Sequence, residues 1–437
     1  MNRLPNRLAL WGALLAYLLL SGALLVALPS NAAPDEAAHL EYVDYLAQRH
    51  AFPVFQGAVP PHPGYEFHQP PLYYLLCAPV WSALLHVPAA GQYGCRLVSL
   101  TIGALTILVI WAASVTLFPE RRDLAALAVW FAALWPLHEG VGASCNNDGL
   151  SGLWCAFLFF GIARIATRPF GARDLVGLGL VAGLGLWTKN TILGPALAAA
   201  FAAAFICARR PPTKITPILA AGMVLGVMAL VGLPWMIRNT VLYGDPLALH
   251  VFSVAATLGT PGYPQFSQVG IVFPDYARGM LIMIFATAWG LYGGPGLAAK
   301  MFVPLSRHAH VPPPGMTGII LLLVGVKIVM ILGSLRLYRR WPAVREAARA
   351  YLGPVALSWT LGTGVIVASW LWFAYNHFSG GQARYLHPAL LPVCILAALA
   401  WTQFWGRGVE RTLAAIAVGA VLLGLDMANI LVWRSLS

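Results

Sequence analysis

Two adjacent carboxylates, Asp35 and Glu36, are the residues of this sequence best suited to chemistry. They directly follow the first long apolar segment, and His39 comes one helical turn later. A helix here would place Asp35, His39 and Tyr42 on one face, where they could supply a general base or assist a metal ion. The same acids could instead stabilise the first turn of a helix that begins at Pro34. The pair alone favours neither interpretation.

A second candidate segment runs from His68 and Gln69 through two prolines to Tyr73. The rigid proline pair turns the chain into an aromatic and apolar stretch. Amides and aromatic rings suit the hydroxyls and faces of a sugar, so this loop could close over one. The alternative is the belt of aromatic residues that many membrane proteins carry at the membrane–water interface.

Asp148 ends an Asn-Asn-Asp sequence and could join Asp35 in one site. Hard divalent cations prefer oxygen ligands, so Asp35 and Asp148 are the residues that could hold Mg²⁺ or Mn²⁺. The alternative is a purely structural role in a turn and at a helix N-terminus, positions where asparagine and aspartate are favoured.

Three basic residues lie where phosphate binding would explain them. Lys189 separates two apolar segments, where a charge is costly and indicates function. Arg384, followed by Tyr385, opens a late apolar segment, and a guanidinium suits phosphate through paired hydrogen bonds. Arg238 precedes a Gly-Asp-Pro turn signal. The alternatives are snorkelling side chains and interfacial anchors.

The elements that must position these residues are membrane-spanning helices. The chain has 437 residues, is 59% hydrophobic and has a mean hydropathy of +0.74. Apolar segments of about 18 residues or more recur, and lipid requires helices that satisfy their own backbone. We therefore predict an all-α polytopic bundle in a single transmembrane domain, 1–437. The predicted spans are 8–28, 96–117, 124–140, 149–166, 174–188, 190–208, 215–236, 316–337, 352–376, 386–405 and 411–433; the shorter segments 71–87 and 277–292 would raise eleven to as many as thirteen.

The charge distribution predicts the orientation of this bundle. Most of the 27 lysines and arginines lie in short linkers that would share one side. By the positive-inside rule that side, with the N-terminus, is cytoplasmic. Two large outer loops, 29–95 and 237–315, then carry short juxtamembrane helices, all 11 histidines lie outside or at outer helix ends, and most of the 15 acids are outside. The net charge of +12 therefore does not indicate a nucleic-acid partner.

The six cysteines show no CxxC spacing, so no zinc ribbon or redox motif is indicated. Cys95 and Cys145 both lie on the predicted outer side and could pair. The first apolar segment is long for a signal peptide, so we expect it to be retained as a span.

Together the motifs resemble the GT-C superfamily of integral-membrane glycosyltransferases. That superfamily includes protein O-mannosyltransferases, aminoarabinose transferases of lipid A and the catalytic subunit of oligosaccharyltransferase. The chain looks most like a bacterial family of predicted membrane proteins in it. The matching motifs lie, in order, at 34–39, 69–74, 146–148, 188–189, 238–239 with 243–246, and 384–388.

The resemblance implies an inverting hexosyl- or pentosyltransferase that uses a polyprenyl-phosphate sugar. In such an enzyme Asp35 would be the general base, and Glu36 would be its catalytic neighbour, supporting the base or holding acceptor or metal. Cations would neutralise the leaving phosphate. The implied acceptor- and sugar-binding residues are His39, Tyr42, His68, Gln69, Tyr73 and Asp148; the implied phosphate-binding residues are Lys189, Arg238, Arg384 and Tyr385. The setting would be the outer side of the bacterial cytoplasmic (inner) membrane. The chain ends soon after its last predicted span, without a soluble periplasmic domain, so a lipid, a glycan or a protein remains open as acceptor.

Two other functions fit parts of the sequence. A transporter or flippase of a lipid-linked or polysaccharide precursor would place ionisable residues at mid-membrane. Lys327 and Asp426 are the candidates for that position. A non-catalytic partner in polymer assembly would tolerate substitution of the acidic pair.

Overall fold

The computed structural model describes residues 4–59, 64–84, 88–210, 215–288, 331–337 and 352–403, with positions 339, 419, 422–424 and 427. Throughout these residues the regular structure is helical. Seven helices are long and apolar enough to cross a membrane, or eight if one bent pair counts as a span. The prediction of an all-α, multi-span membrane protein is therefore confirmed, whereas the count of eleven is not. Most of the predicted spans 316–337 and 411–433, and both Lys327 and Asp426, lie outside the described residues.

Fifteen α-helices are described in chain order. They are α1 Leu4–Ala27, α2 Glu36–Arg49, α3 Leu72–Ala83, α4 Pro88–Leu117, α5 Arg122–Ala133, α6 Pro136–Gly142, α7 Asp148–Thr167, α8 Ala172–Leu186, α9 Leu193–Arg209, α10 Pro217–Tyr243, α11 Leu249–Gly259, α12 Tyr263–Gln268, α13 Phe273–Ala288, α14 Leu352–Asn376 and α15 Leu390–Trp401. Short 3₁₀ turns at Tyr65–His68, Asn190–Ile192, Phe378–Gly381 and Ala383–Ala389 join several of them.

Seven of the predicted spans coincide with helices that are long and apolar enough to cross a membrane. They are α1, α4, α7, α10 and α14, together with α9 and α15 extended by the 3₁₀ turns that precede them. The two uncertain segments, 71–87 and 277–292, fall on the 12-residue α3 and the 16-residue α13. Both helices are shorter than a membrane span, and 289–292 lies outside the described residues.

Close helix packing depends on glycine where α8 meets α10. A Cβ atom at Gly183 would lie 2.5 Å from the Cβ of Val231, and one at Gly179 would lie 2.6 Å from the Cβ of Val227. No side chain fits at such distances, so these two glycines let the helix backbones approach each other.

The segment after α1 carries the acidic pair, and it differs from the prediction in one respect. Helix α2 begins at Glu36, so Pro34 is not its first residue and Asp35 is not in its first turn. Asp35 has φ 60° and ψ 6°, the left-handed conformation that aspartate tolerates better than most residues. The chain therefore turns sharply between the two acids, and their side chains go to different places.

Candidate active site

A cavity of about 570 Å³ lies where the first loop meets the ends of α9 and α14. One end of it is ionic and aromatic, and its wall is apolar. The polar end includes Asp35, His39, Tyr65, Glu66, His68, Gln69, Lys189, Arg384 and Tyr385. The apolar wall includes Leu193 and Leu197 of α9, Phe252 of α11, and Val365, Ile366 and Trp372 of α14. The structure thus gathers seven of the predicted site residues around one space.

Asp35 and Arg384 form the central ion pair of the polar end. Arg384 donates from Nη2 to Asp35 Oδ2 and from Nη1 to the carbonyl oxygen of Pro34, 3.3 Å away. Burial alone would raise the pKa of Asp35, but the charge and hydrogen bond of Arg384 outweigh it and hold the pKa below its usual value. The Asp35 side chain keeps 32% of its surface exposed. It is therefore an ionised carboxylate that a second molecule can reach.

His39 lies beside this pair as a neutral ring. Its Nδ1 is 2.9 Å from the hydroxyl of Tyr74. Burial lowers the pKa of His39 to about 3, and the nearby charge of Asp35 only partly opposes this because Arg384 and Lys189 are also close. His39 can therefore hold a hydrogen bond at neutral pH, but it carries no charge there.

Asp148 and Lys189 form a second ion pair, linked to the first. The Nζ of Lys189 lies 2.5 Å from Asp148 Oδ1 and 3.1 Å from Asn147 Oδ1, and Arg384 Nη1 lies 3.8 Å from Asp148 Oδ2. The ring of Tyr385 is 5.6 Å from the Lys189 ammonium and 5.1 Å from the Arg384 guanidinium. The two carboxylates and the two cations therefore alternate in space, and their charges sum to zero.

The Asn-Asn-Asp sequence serves structure and site together. Asn146 Oδ1 accepts from the backbone N–H groups of Asp148 and Gly149, at 3.0 and 3.3 Å, in the first turn of α7. This is the cap chemistry that the sequence suggested. The cap holds Asp148 at the helix start, where its side chain meets Lys189.

Glu36 does not line the cavity. Its carboxylate is fully buried and accepts from Arg96 Nε at 2.8 Å and from Arg96 Nη2 at 2.7 Å. It also accepts from the backbone N–H of Cys145, at 2.9 Å. Arg96 donates further to the carbonyl oxygens of Leu25 and Leu28 at the end of α1. Glu36 therefore joins α1, α2, α4 and the loop before Asp148, and this position does not suit the catalytic role expected of it.

Arg96 and Glu66 are two residues that the sequence analysis missed. Arg96 opens a predicted span from its outer end, against the charge bias, which is the signal that singled out Arg384. Glu66 stands two and three residues before the chosen His68 and Gln69. It lines the cavity with 3% of its surface exposed.

Two predicted ligand-binding tyrosines lie behind the cavity lining. Tyr42 stacks on Tyr74 at 3.9 Å between ring centres and donates to the carbonyl oxygen of Gln69, 3.1 Å away. The hydroxyl of Tyr73 lies 2.7 Å from Ser99 Oγ. Both rings are buried and support the residues that face the cavity.

Arg238 is placed differently from the phosphate-binding residue that was expected. Its Nη2 donates to the carbonyl oxygen of Pro53, 2.6 Å away, and its guanidinium lies 4.6 Å from the centre of the Trp235 ring. It therefore holds the loop after α2 and is not part of the cavity lining.

The carboxylates of the site do not fit a divalent cation as they stand, because each already has a cationic partner: Arg384 binds Asp35 Oδ2, and Lys189 binds Asp148 Oδ1. We therefore derive no step through a metal ion. Among the described residues, one other group has metal-ligand spacing: the Sγ atoms of Cys77, Cys95 and Cys145, all buried and within 4.8 Å of one another. Thiols suit soft ions, in contrast to Mg²⁺ or Mn²⁺. The six cysteines are free thiols, so Cys95 and Cys145 are neighbours without a disulfide.

Comparison with known proteins identifies the fold. The sequence model of a family described as dolichyl-phosphate-mannose-protein mannosyltransferase matches residues 68–235, which include the motifs around Gln69, Asp148 and Lys189. A search of curated protein sequences finds no match.

Solved structures resemble nearly the whole chain. The apo oligosaccharyltransferase of Archaeoglobus fulgidus is 13% identical with a TM-score of 0.57, covering 99% of this chain and 57% of that one. The same organism's enzyme, solved with an inhibitory peptide and a dolichol-phosphate, is 14% identical with a TM-score of 0.54, covering 97% and 56%. ArnT of Cupriavidus metallidurans, solved with undecaprenyl phosphate, is 16% identical with a TM-score of 0.50, covering 95% and 62%.

A further structure of the Archaeoglobus fulgidus enzyme contains Zn and sulfate. The chain spans less than two thirds of the length of each of these proteins. At such low sequence identities the likeness shows a shared fold. The expected resemblance is therefore confirmed as a likeness of fold to the oligosaccharyltransferase and ArnT structures.

Proposed function

We propose that this chain, which has the GT-C fold, is a membrane glycosyltransferase that moves a sugar from a polyprenyl-phosphate donor to an acceptor hydroxyl. The observation that carries the proposal is the divided lining of the cavity. Its polar end holds Lys189 and Arg384, and its apolar wall comes from the membrane helices α9 and α14. Leu197 and Trp372 line this wall with 49% and 56% of their surface exposed. A polyprenyl phosphate, an anion on an apolar chain, has the same two parts.

Arg384 and Lys189 are suited to the phosphate of the donor. The Nε of Arg384 is buried and has no hydrogen-bonding partner among the described residues, so it is available to an anion. The ammonium of Lys189 uses two acceptors, Asp148 and Asn147, which leaves it one further donor. Charge grows on the phosphate as its bond to the sugar breaks, and cations already in place stabilise that charge most in the transition state.

Asp35 is suited to be the general base. As an ionised and partly exposed carboxylate, it can take the proton of the acceptor hydroxyl while the acceptor oxygen attacks the anomeric carbon. The bond from that carbon to the phosphate oxygen breaks, and polyprenyl phosphate leaves. A single displacement of this kind inverts the anomeric configuration. The acceptor is a lipid, a glycan or a protein.

The proposed setting is the outer side of a bacterial cytoplasmic membrane. The site lies at the N-terminal ends of α7 and α9, and their opposite ends lead to Arg168 and Arg209. Arg121 likewise follows the far end of α4. The positive-inside rule puts these arginines in the cytoplasm, and it therefore supports an outward-facing site and a cytoplasmic N-terminus.

The donor assignment is tested with purified protein in proteoliposomes. Radiolabelled sugar is supplied either on undecaprenyl phosphate or on a nucleotide, together with membrane extract as a source of acceptor. We expect transfer from the lipid-linked donor alone. Transfer from the nucleotide sugar in the absence of lipid donor would overturn the assignment. Counterflow of the lipid-linked sugar without transfer would indicate the transporter function instead.

A further inference from the structure

Glu66 is a carboxyl group of the cavity that the proposed reaction does not use. It lies in the 3₁₀ turn Tyr65–His68, and its Oε2 is buried without a hydrogen-bonding partner among the described residues. The turn itself is firmly held. The N–H of Gly64 donates to Glu41 Oε2 at 2.7 Å, and the ring of His68 stacks on Phe252 with centres 4.1 Å apart. Glu66 therefore presents an unused oxygen from a fixed position.

The charges around Glu66 favour its neutral form. Asp35 and Asp148 already occupy Arg384 and Lys189, which leaves no cation of the polar end bonded to Glu66. Burial raises the pKa of Glu66 to about 8, and the charge of Asp35 adds to this effect. A donor phosphate would add another negative charge to the same cavity. At neutral pH the side chain is therefore a carboxylic acid, which can donate one hydrogen bond and accept another.

The position of Glu66 indicates which part of the donor it meets. The transferred sugar must lie between the base, Asp35, and the cations that hold the phosphate. Glu66 lines the same end of the cavity as Asp35, together with the rings of Tyr65 and His68. A neutral hydrogen-bonding group beside aromatic rings suits a polyhydroxylated ring better than it suits either the phosphate or the apolar chain.

We propose that Glu66 is a sugar-binding residue that donates a hydrogen bond, as a neutral carboxylic acid, to a hydroxyl of the sugar carried by the donor. This inference rests on the proposed function and adds to it a subsite for the hydroxyls of a neutral sugar. It separates the roles of the three acidic residues: Asp35 receives a proton, Asp148 holds Lys189, and Glu66 recognises the sugar.

The test measures, by calorimetry in nanodiscs, the binding of four probes: farnesyl phosphate and its glucosyl, mannosyl and galactosyl conjugates. We expect at least one conjugate to bind the unaltered protein more tightly than farnesyl phosphate. Glu66→Ala should lose about tenfold of that sugar-dependent gain, the value of one hydrogen bond to a buried group, and should bind farnesyl phosphate unchanged. Glu66→Gln, which keeps a neutral donor and acceptor, should retain most of the gain.

The pH dependence adds a result that a merely structural role would not give. Above about pH 8 Glu66 loses its proton, and the new negative charge should weaken the binding of farnesyl phosphate and of its sugar conjugates to the unaltered protein. Glu66→Gln should show no such loss, and Glu120→Gln, an exposed carboxyl, should behave as the unaltered protein. If Glu66→Ala keeps the full sugar-dependent gain, the inference is wrong while the donor assignment stands. If the unaltered protein binds none of the probes, both are wrong.

Discussion

At the scale of single residues, the side chains of the two adjacent acids point in different directions because Asp35 has a left-handed backbone conformation. The sequence predicted both Asp35 and Glu36 as catalytic, with Asp35 as the base because it would share a helix face with His39, and Glu36 as its supporting neighbour. The φ of 60° at Asp35 turns its side chain to the cavity, whereas Glu36 begins α2 and faces Arg96. Such a local conformation depends on the packing of distant segments, so the sequence could separate the base from its neighbour but could not show that Glu36 binds Arg96 away from the cavity.

The buried pair of Glu36 and Arg96 predicts a large loss of stability when one partner is removed. In Glu36→Ala the guanidinium of Arg96 would stay buried without its counter-charge, which costs about 3–5 kcal/mol. Thermal unfolding in detergent micelles measures this loss. The control is Asp123→Ala, whose pair with Arg121 has side chains 34% and 39% exposed and should change stability by about 1 kcal/mol or less. Equal effects of the two substitutions would contradict the structural role of Glu36.

The pair of Arg384 and Asp35 predicts a shift in the pH dependence of transfer. Arg384 lowers the pKa of Asp35 against the effect of burial, so Arg384→Gln should raise that pKa. The base works only when ionised, so activity falls as the pH drops through its pKa, and this acidic limb should move to higher pH in the variant. The profile of kcat/KM against pH measures the shift. If the acidic limb stays at the same pH in the variant, whatever the loss in rate, then the ionisation of Asp35 does not set this limb.

At the scale of elements, hydropathy predicts the straight helices well and the bent ones poorly. The predicted span 124–140 is two helices, α5 and α6, with 60° between them. Trp135 has an extended backbone because it precedes Pro136, whose ring disfavours a helical conformation in the residue before it. Pro136 favours a break in the helix, but the apolar composition of 124–140 predicted a single span. Helix α6 leads directly into the short loop before Asp148, the first residue of α7.

The glycines between α8 and α10 give a prediction at this scale. Gly179→Ala would place a methyl group 2.8 Å from the carbonyl oxygen of Val224, which must move the helices apart at a cost of about 1–3 kcal/mol. Gly177→Ala, in the same helix but with no atom within 4 Å of the added methyl, should be neutral or stabilise by up to about 1 kcal/mol. Thermal unfolding of the two variants distinguishes them. Similar melting temperatures would show that α8 and α10 are not this close.

At the scale of the whole molecule, the sequence predicts the fold class and much of the site. The order of the motifs along the chain and their common placement on one side of the membrane together allow few arrangements. Motifs near Asp35, Gln69, Lys189 and Arg384 all fall at outer ends of predicted helices, and helices of similar length bring such ends together. The contribution of Glu66 could not be predicted in this way. The position of its side chain depends on which face of the short turn Tyr65–His68 packs against the helices, and a four-residue turn is too short to show a hydrophobic periodicity.

The predicted orientation is checked by labelling intact cells. The six native cysteines are buried, so they should give little background. A membrane-impermeant maleimide should label Ser267→Cys, exposed in the second outer loop, without permeabilisation. It should label Glu120→Cys, exposed beside the cytoplasmic arginines, only after permeabilisation. The reverse pattern would invert the topology and place the site in the cytoplasm.

Sugar transfer by Asp35→Asn tests whether Asp35 is the general base. Asparagine tolerates the left-handed conformation and has nearly the shape of aspartate, so the variant removes the base with little strain. Transfer from undecaprenyl-phosphate sugar in proteoliposomes, normalised to folded protein, should fall by about 10²–10⁴-fold. Asp275→Asn, an exposed acid outside the cavity, should keep the activity of the unaltered protein. Full activity in Asp35→Asn would contradict the account.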